Sequence, residues 1–223
     1  MNRVENYAIP LPTIRRFPAY LRLLKDHANQ GELWISATTL ADQLKLKPIQ
    51  VRKDMACTGV EGKPKVGFQV CELILAIEQY LGWDNTTDAI LIGAGNLGAA
   101  LIGYKGFEDN GLRIVAVFDK DRRKVGSQIG GIVISQIEDL TDIVKKLGVN
   151  IAVITVPAEA AQPVAEMAVE AGIKGVWNFA PKSLNLPDNI IVQKTDLATS
   201  FAELSANLKN HLFEQKQVQE EAE

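Results

Sequence analysis

Three glycines, Gly93, Gly95 and Gly98, follow directly on the apolar run AILI, and Asp119 closes the next apolar run, LRIVAVFD, 21 residues after the last of them. That pattern suits a dinucleotide. The first glycine turns the chain, the second lets a pyrophosphate approach the backbone, and the third lets a helix pack closely on its strand. Ala94, Asn96 and Leu97 fill the loop, and the following helix would present free N–H groups to the phosphates. Asp119 can accept hydrogen bonds from an adenosine ribose and repel a 2′-phosphate, which favours NAD(H) over NADP(H). The basic run Lys120, Arg122, Arg123 and Lys124 pulls the other way, and Lys120 and Lys124 join the candidate contacts. Ligands of parallel sheets bind beyond the carboxyl ends of the strands. The ends at Thr155, Val156 and Pro157 and at Asn178, Phe179, Ala180 and Pro181 therefore complete the candidate cofactor set.

A second chemistry lies nearer the N-terminus. In WISATTLADQLKLKPIQVRKDMACTG, Ser36 is placed to cap one short helix and Pro48 to open another. The second helix would turn Gln50, Arg52 and Lys53 outward, with Lys47 in the connection. Gln reads adenine edges and Arg guanine edges in a major groove, while Lys meets phosphate. Two short helices about a tight turn make a helix-turn-helix. The glycine-punctuated stretch that follows, with Lys63 and Lys65, reads as a β-hairpin wing laid along a DNA backbone. A small helical protein-interaction domain with a solvated basic face is the plainer alternative.

The elements that must position these residues follow from periodicity. Helices are expected over 18–28 and 71–82, the latter ended by Gly82, then a polar link WDNTTD. Beyond it, strands alternate with helices near 136–147 and 158–171, with further strands at NIAVITV, GVWNF and IIVQ, the signature of a parallel doubly wound α/β sheet of Rossmann type. The tail carries Leu197, Phe201, Leu204, Leu208 and Leu212 at helical spacing, and residues 197–218 would span about 33 Å. Such a stripe must cover its own domain or a partner subunit. The expected domains are a winged helix over 1–83, a nucleotide-binding unit over 84–195 and a C-terminal helix and tail over 196–223.

The 223 residues are 47% hydrophobic and 23% charged, which excludes a disordered tail, a fibre or a disulfide scaffold. The formal charge of −3 hides a dipole. Residues 1–70 hold 11 Lys+Arg and 6 Asp+Glu, a charge of +5, and the remaining 13 basic and 21 acidic residues leave −8. A basic N-terminal module joined to an acidic remainder fits a nucleic-acid partner for the first. Cys57 and Cys71 are too few for a disulfide framework and are not spaced for zinc, so no metal is expected. The start, MNRVENYAIPLPTIRRF, lacks the apolar core of an export signal, and no run is long enough to span a membrane, so the expected compartment is the cytoplasm.

The segments TIRRFPAYLRLL, QVRKD, GAGNLG, VFDKDRRKVG, ITVPAEAAQ, AGIKGVWNFAP and TDL together resemble the Rex family of redox-sensing transcriptional repressors, from about residue 8 to residue 212. The resemblance implies a homodimer that binds palindromic operator DNA when NADH is scarce and releases it when NADH binds. It also implies that the C-terminal helix is exchanged between subunits. Arg16 and Asp196 match an interdomain ion pair of the DNA-binding form, and Tyr104 a residue near the nicotinamide. The family typically reads QVRKDLSYFGEFGKRGVGY where this chain reads QVRKDMACTGVEGKPKVGF. The wing keeps a positive tip but gains a proline, which leaves operator preference open.

Three other readings compete. A nicotinamide-dependent dehydrogenase would need a proton donor or acceptor near the ring, yet His27 and His211 lie outside the Rossmann core and residues 1–82 are spent on the basic module. The second half also resembles the CoA-binding domain of acyl-CoA synthetases. The third is a Rex-like NADH-binding protein that has lost DNA recognition.

Overall fold

The basic N-terminal segment folds around apolar residues spaced three and four apart. In the computed structural model, which describes residues 9–84 and 87–220 with side chains of the last helix as far as 213, the chain divides into two compact units at Thr86/Thr87. Residues 1–8, part of the link WDNTTD and the last three residues lie outside this description.

In the first unit, α1 (Leu11–Asn29) buries Phe17, Tyr20, Leu21 and Leu24. It starts seven residues before Pro18, where the sequence pattern placed its beginning. Pro18 removes one i→i−4 hydrogen bond, but the first turns are held by side-chain bonds from Thr13 and Arg16 to Asp54. After the short strand β1 (Trp34–Ile35), Ser36 Oγ accepts the Thr39 N–H at 3.0 Å and caps α2 (Ala37–Leu44). Lys45, at φ 54°, turns the chain into α3 (Pro48–Ala56), whose Val51 and Met55 are fully buried. β2 (Phe68–Gln69) pairs antiparallel with β1 and leads into α4 (Val70–Leu81), which ends at Gly82 in the left-handed region. The wing is thus shorter than the expected hairpin. Beyond β2 it is one bridge, Lys63 to Gly67, across the tip.

The second unit is a seven-stranded sheet in the order β5-β6-β4-β3-β7-β8-β9. Its strands are β3 (Thr87–Ile92), β4 (Leu112–Asp119), β5 (Gln128–Ile129), β6 (Ile132–Gln136), β7 (Ile151–Ile154), β8 (Gly175–Asn178) and β9 (Ile191–Lys194). All neighbours are parallel except β5 and β6. The hairpin β5–β6 was not expected. Gly130 (φ 58°) and Gly131 (φ 80°) form the two-residue turn that joins it, a conformation in which both positions need positive φ. The helices are α5 (Asn96–Ile102), α6 (Leu140–Leu147), α7 (Ala158–Glu170) and α8 (Leu197–Glu220). Taken without β5, chain order across the sheet runs 3-2-1-4-5-6, the doubly wound arrangement of a Rossmann unit. Order reverses beside β3, so the ends of β3, β4, β7 and β8 surround the crevice where such folds bind ligands.

α8 breaks with the rest. Leu197, Phe201, Leu204, Leu208, Leu212 and Phe213 are all exposed, by 49% to 69%. Of the two expected roles for this stripe, covering its own domain is not what the structure has.

Candidate dinucleotide site and nucleic-acid interface

The glycine turn is built as its three roles require. Gly93 has φ 109°, and a Cβ there would lie 2.9 Å from the Thr155 backbone. A Cβ on Gly98 would collide with the Gly93 carbonyl oxygen, so the helix could not seat on the strand. A Cβ on Gly95 meets nothing within 4 Å: it would stand in the open space that a pyrophosphate needs. These residues therefore fit a dinucleotide. Thr155 braces the turn, its Oγ1 donating to the Gly93 carbonyl at 2.8 Å and its N–H to the Ile92 carbonyl at 2.9 Å.

A cavity of about 480 Å³ opens at these strand ends. Among the expected residues it brings together Gly93, Gly95, Leu97, Asp119, Lys120, Lys124, Thr155, Val156, Pro157, Phe179 and Pro181. It adds Ile92, Asp121, Ile137, Ala160 and Val164, which were not anticipated. Ile137 follows β6, and a strand-end search would have found it had β6 been recognised. Ala94, Asn96, Gly98, Asn178, Ala180 and Tyr104 do not line it. Asn178, 1% exposed, instead shapes the loop that does: its Oδ1 accepts the Ala180 N–H at 2.9 Å and its Nδ2 donates to the Lys182 carbonyl at 2.7 Å. Tyr104 is 59% exposed and packs edge-on against Phe107 in a separate cleft of about 170 Å³.

Asp119 is 7% exposed. Its Oδ2 accepts the Ala94 N–H at 2.8 Å and Lys124 Nζ at 3.0 Å, and its Oδ1 accepts the Asp121 N–H at 2.8 Å. Burial pushes this carboxyl up, but the Asp121 N–H, Lys124 and the Ala94 N–H outweigh it and hold the group below the usual carboxylate range. A carboxylate offers about four acceptor sites, so about one remains for a ribose hydroxyl. The basic run is partly engaged: Lys124 faces Asp119, and Arg123 forks onto Asp121 at 2.8 and 2.9 Å. Those two cations are held by carboxylates before a 2′-phosphate could claim them.

In the first unit, Lys47, Arg52 and Lys53 are exposed along α3, and Lys63 and Lys65 are exposed on the wing. Arg52, Lys63 and Lys65 line an open groove of about 860 Å³ between α3, the start of α2 and the wing. Gln50 is half-buried, and its Nε2 donates to Asp54 Oδ1 at 2.9 Å. Lys63 Nζ lies 4.5 Å from the centre of the Trp34 ring, a cation–π contact that fixes the wing to β1.

Asp54 has no signature of its own in the sequence, yet it organises this unit. Only 1% exposed, it accepts from Thr13 Oγ1 (2.9 Å), Arg16 Nε (2.6 Å) and Nη2 (2.7 Å), Tyr20 Oη (2.8 Å) and Gln50 Nε2 (2.9 Å). Burial pushes its carboxyl up, and donation from Arg16, Tyr20, Gln50 and Thr13 overrides this and holds it low. Burial, then donation to Asp54, drives the Tyr20 phenol well up. Arg16 is thus paired with α3 of its own unit. Asp196 sits at the root of α8, its Oδ1 accepting the Ala198 N–H at 3.0 Å and its Oδ2 lying 3.4 Å from Lys194 Nζ. Among the described residues no group of His, Cys, Asp and Glu could hold a metal ion, and no helix is long and apolar enough to cross a membrane.

Fold and site together define a winged-helix DNA-binding unit followed, on one chain, by a nucleotide-binding Rossmann unit. Family models match in the same order: "Putative DNA-binding protein N-terminus" over residues 8–56 and "CoA binding domain" over residues 84–182. The redox-sensing transcriptional repressor Rex of Treponema denticola is 47% identical over 86% of this chain and 92% of its own length. That of Carboxydothermus hydrogenoformans is 39% identical over 92% and 99%. The solved structure of RSP in complex with β-NAD+ and operator DNA superposes with a TM-score of 0.86 at 32% identity, covering 94% of this chain and 97% of RSP. RSP in complex with β-NADH superposes at 0.83 and 31% identity, covering 93% and 98%. The chain belongs to the Rex family of redox-sensing transcriptional repressors.

Proposed function

We propose that this protein is a cytoplasmic transcriptional repressor that binds palindromic operator DNA as a homodimer and releases it when NADH occupies the second unit. The observation that carries the reading is that one chain holds both parts: a basic α3 and wing flanking an open groove, and a glycine-cornered cavity with Asp119 at its base. Membership of the Rex family supports it, as do the RSP complexes with operator DNA and with NADH. The relatives carry the names of repressors, and this chain is a regulator, not an enzyme.

Arg52 and Lys53 meet base edges and phosphates from α3, with Lys47, Lys63 and Lys65 on the backbone. Gln50 holds Asp54 and reaches DNA only by giving up that bond. The exposed stripe of α8 is the dimerisation surface. Arg16 and Asp196 are the switch residues of the DNA-binding form, and Arg16 can serve Asp196 there only by giving up or sharing the hold of Asp54 that this structure shows. A ligand shifts such an equilibrium only by binding the two states differently. Bound in the cavity, the cofactor supplies a nicotinamide that is cationic when oxidised and neutral when reduced. The apolar wall at Phe179 and Pro181 accepts the neutral ring and penalises the cation by desolvation.

The test is the affinity for selected duplex DNA with and without each cofactor, together with calorimetry of NADH, NAD+ and CoA. NADH should bind more tightly than NAD+ and release the DNA, and CoA should compete poorly. Equal affinities for the two redox forms sink the sensor. Tight NADH binding without DNA binding would point to a wing that has lost its operator.

A further inference from the structure

The second unit carries a line of four aromatic rings that the cofactor site does not explain. Tyr104 meets Phe107 edge-on with centroids 5.0 Å apart, Phe107 meets Trp177 at 5.3 Å, and Trp177 leans on Phe179 at 4.9 Å. Phe179 lines the cofactor cavity, whereas Trp177 stands behind it. The Trp177 indole N–H donates to Thr195 Oγ1 at 2.8 Å, and the Thr195 N–H donates to the Asn178 carbonyl at 2.9 Å. The next residue, Asp196, accepts the Ala198 N–H and so caps α8. Thr195, the residue just before the cap of α8, is therefore bonded twice to the strand whose end walls the cavity.

We propose that Trp177 is a positioning residue that couples occupancy of the cofactor cavity to the attitude of α8. A ring packed on Phe179 displaces it against the indole. Neighbours packed at interior density do not move independently, so Trp177 either follows, carrying Thr195 and Asp196 with it, or loses its acceptor. A half-buried indole N–H keeps its partner. The stack transmits the push, and the hydrogen bond delivers it to the first turn of α8. This rests on the reading of the protein as a repressor released by NADH, and it assigns the route by which release begins.

Two variants of the full-length protein separate the hydrogen bond from the packing. Trp177→Phe keeps a ring against Phe179 and removes the donor. Thr195→Val keeps the shape of Thr195 and removes the acceptor. The probes are NADH and a duplex selected by the wild-type protein from a randomised palindromic library. Both variants should bind NADH within about twofold of wild type by calorimetry and bind the duplex normally without NADH. The factor by which NADH weakens DNA binding should fall about threefold to tenfold, the range of one hydrogen bond. Unchanged coupling in both variants overturns the proposal. So does loss of NADH binding in Trp177→Phe with normal coupling in Thr195→Val, because Trp177 is then only a wall of the pocket. A wild-type protein that keeps its DNA in saturating NADH overturns the repressor reading itself, and the relay falls with it.

Discussion

Each unit buries an aspartate near the end of a regular element, and the two are satisfied in different ways. Asp54 takes five donors, all from side chains, drawn from α1 and from its own helix α3. Asp119 takes three, two from backbone N–H groups and one from Lys124, and it borders a cavity. A carboxylate with every acceptor site filled can only hold structure. One with a site left over, facing a space of ligand size, can recognise something. Burial and a lowered pKa look alike at both positions, and only the count of donors and the adjoining cavity separate the group that is fully engaged from the one that is free to bind.

The most forceful way to break this comparison is to remove Asp54. Asp54→Ala strands Arg16 beside an unfilled site, and breaking a buried pair in this way costs about 3–5 kcal/mol. Denaturant unfolding of the full-length protein should show the first unit melting well before the second, with NADH binding retained. A loss below about 1 kcal/mol would mean the cluster is not the organising centre. Asp119→Asn should act in the opposite sense. Stability falls by about 1 kcal/mol or less, while NADH affinity drops about tenfold, the worth of a hydrogen bond to a charged group. Discrimination against NADPH should narrow in the same variant. If NADH affinity is unmoved, the fourth acceptor site of Asp119 does not face the ribose.

How much of this was legible in the sequence follows the same division. The Rossmann unit could be read from local signals, because each glycine of the turn answers a local steric need and Asp119 ends a strand. Ser36, Pro48 and Gly82 likewise do their capping within a few residues of themselves. The hairpin β5–β6 is equally local: Gly130 and Gly131 between Gln128–Ile129 and Ile132–Val133 are a two-residue turn signal. The extension of α1 past Pro18 and the role of Asp54 were not legible. Both depend on bonds between residues 34 to 41 positions apart, which no periodicity encodes. Tyr104 and Asn178 show a further gap, since a motif can name a residue without saying whether its side chain faces the cavity or props the loop that does.

The first unit should also answer to pH through a second polar cluster. His27, 8% exposed, places Nε2 3.2 Å from Gln43 Oε1 and Nδ1 2.6 Å from Glu32 Oε2, so both ring nitrogens face acceptors. Donation to Gln43 and then to Glu32, with Asp26 nearby, raises its pKa against the effect of burial. A raised folded value means that the stability it contributes is fully present below the unfolded value of about 6.5 and is lost as pH rises through the folded one. Unfolding free energy of the first unit should therefore decline across that window. His27→Gln should flatten the decline, and an identical slope in the variant would remove His27 from the account. The two aspartates work at the other end. Both are depressed, so their contributions are present above about pH 4 and are lost as pH falls through the folded values.

The smallest expected effect concerns the wing, where this chain departs from the usual family pattern. Pro64 and Lys65 occupy the middle of a turn closed by the Val66 N–H donating to the Lys63 carbonyl at 3.1 Å. Lys65 has φ 61°, the left-handed conformation that the second central position of a type II turn demands and that glycine adopts without strain. The chain thus holds a cation at the tip in a conformation that disfavours a side chain. Lys65→Gly relieves the strain but frees the unfolded chain, so stability should change by less than about 1 kcal/mol, in the favourable direction. DNA binding should respond more plainly. If Lys65 meets a phosphate, the slope of log affinity against log salt should fall by about two counterions, one for each wing of the dimer, with sequence preference unchanged. An unchanged slope would leave the tip of the wing off the DNA and shift its role to Lys63, held over Trp34, and Arg52 in the groove behind it.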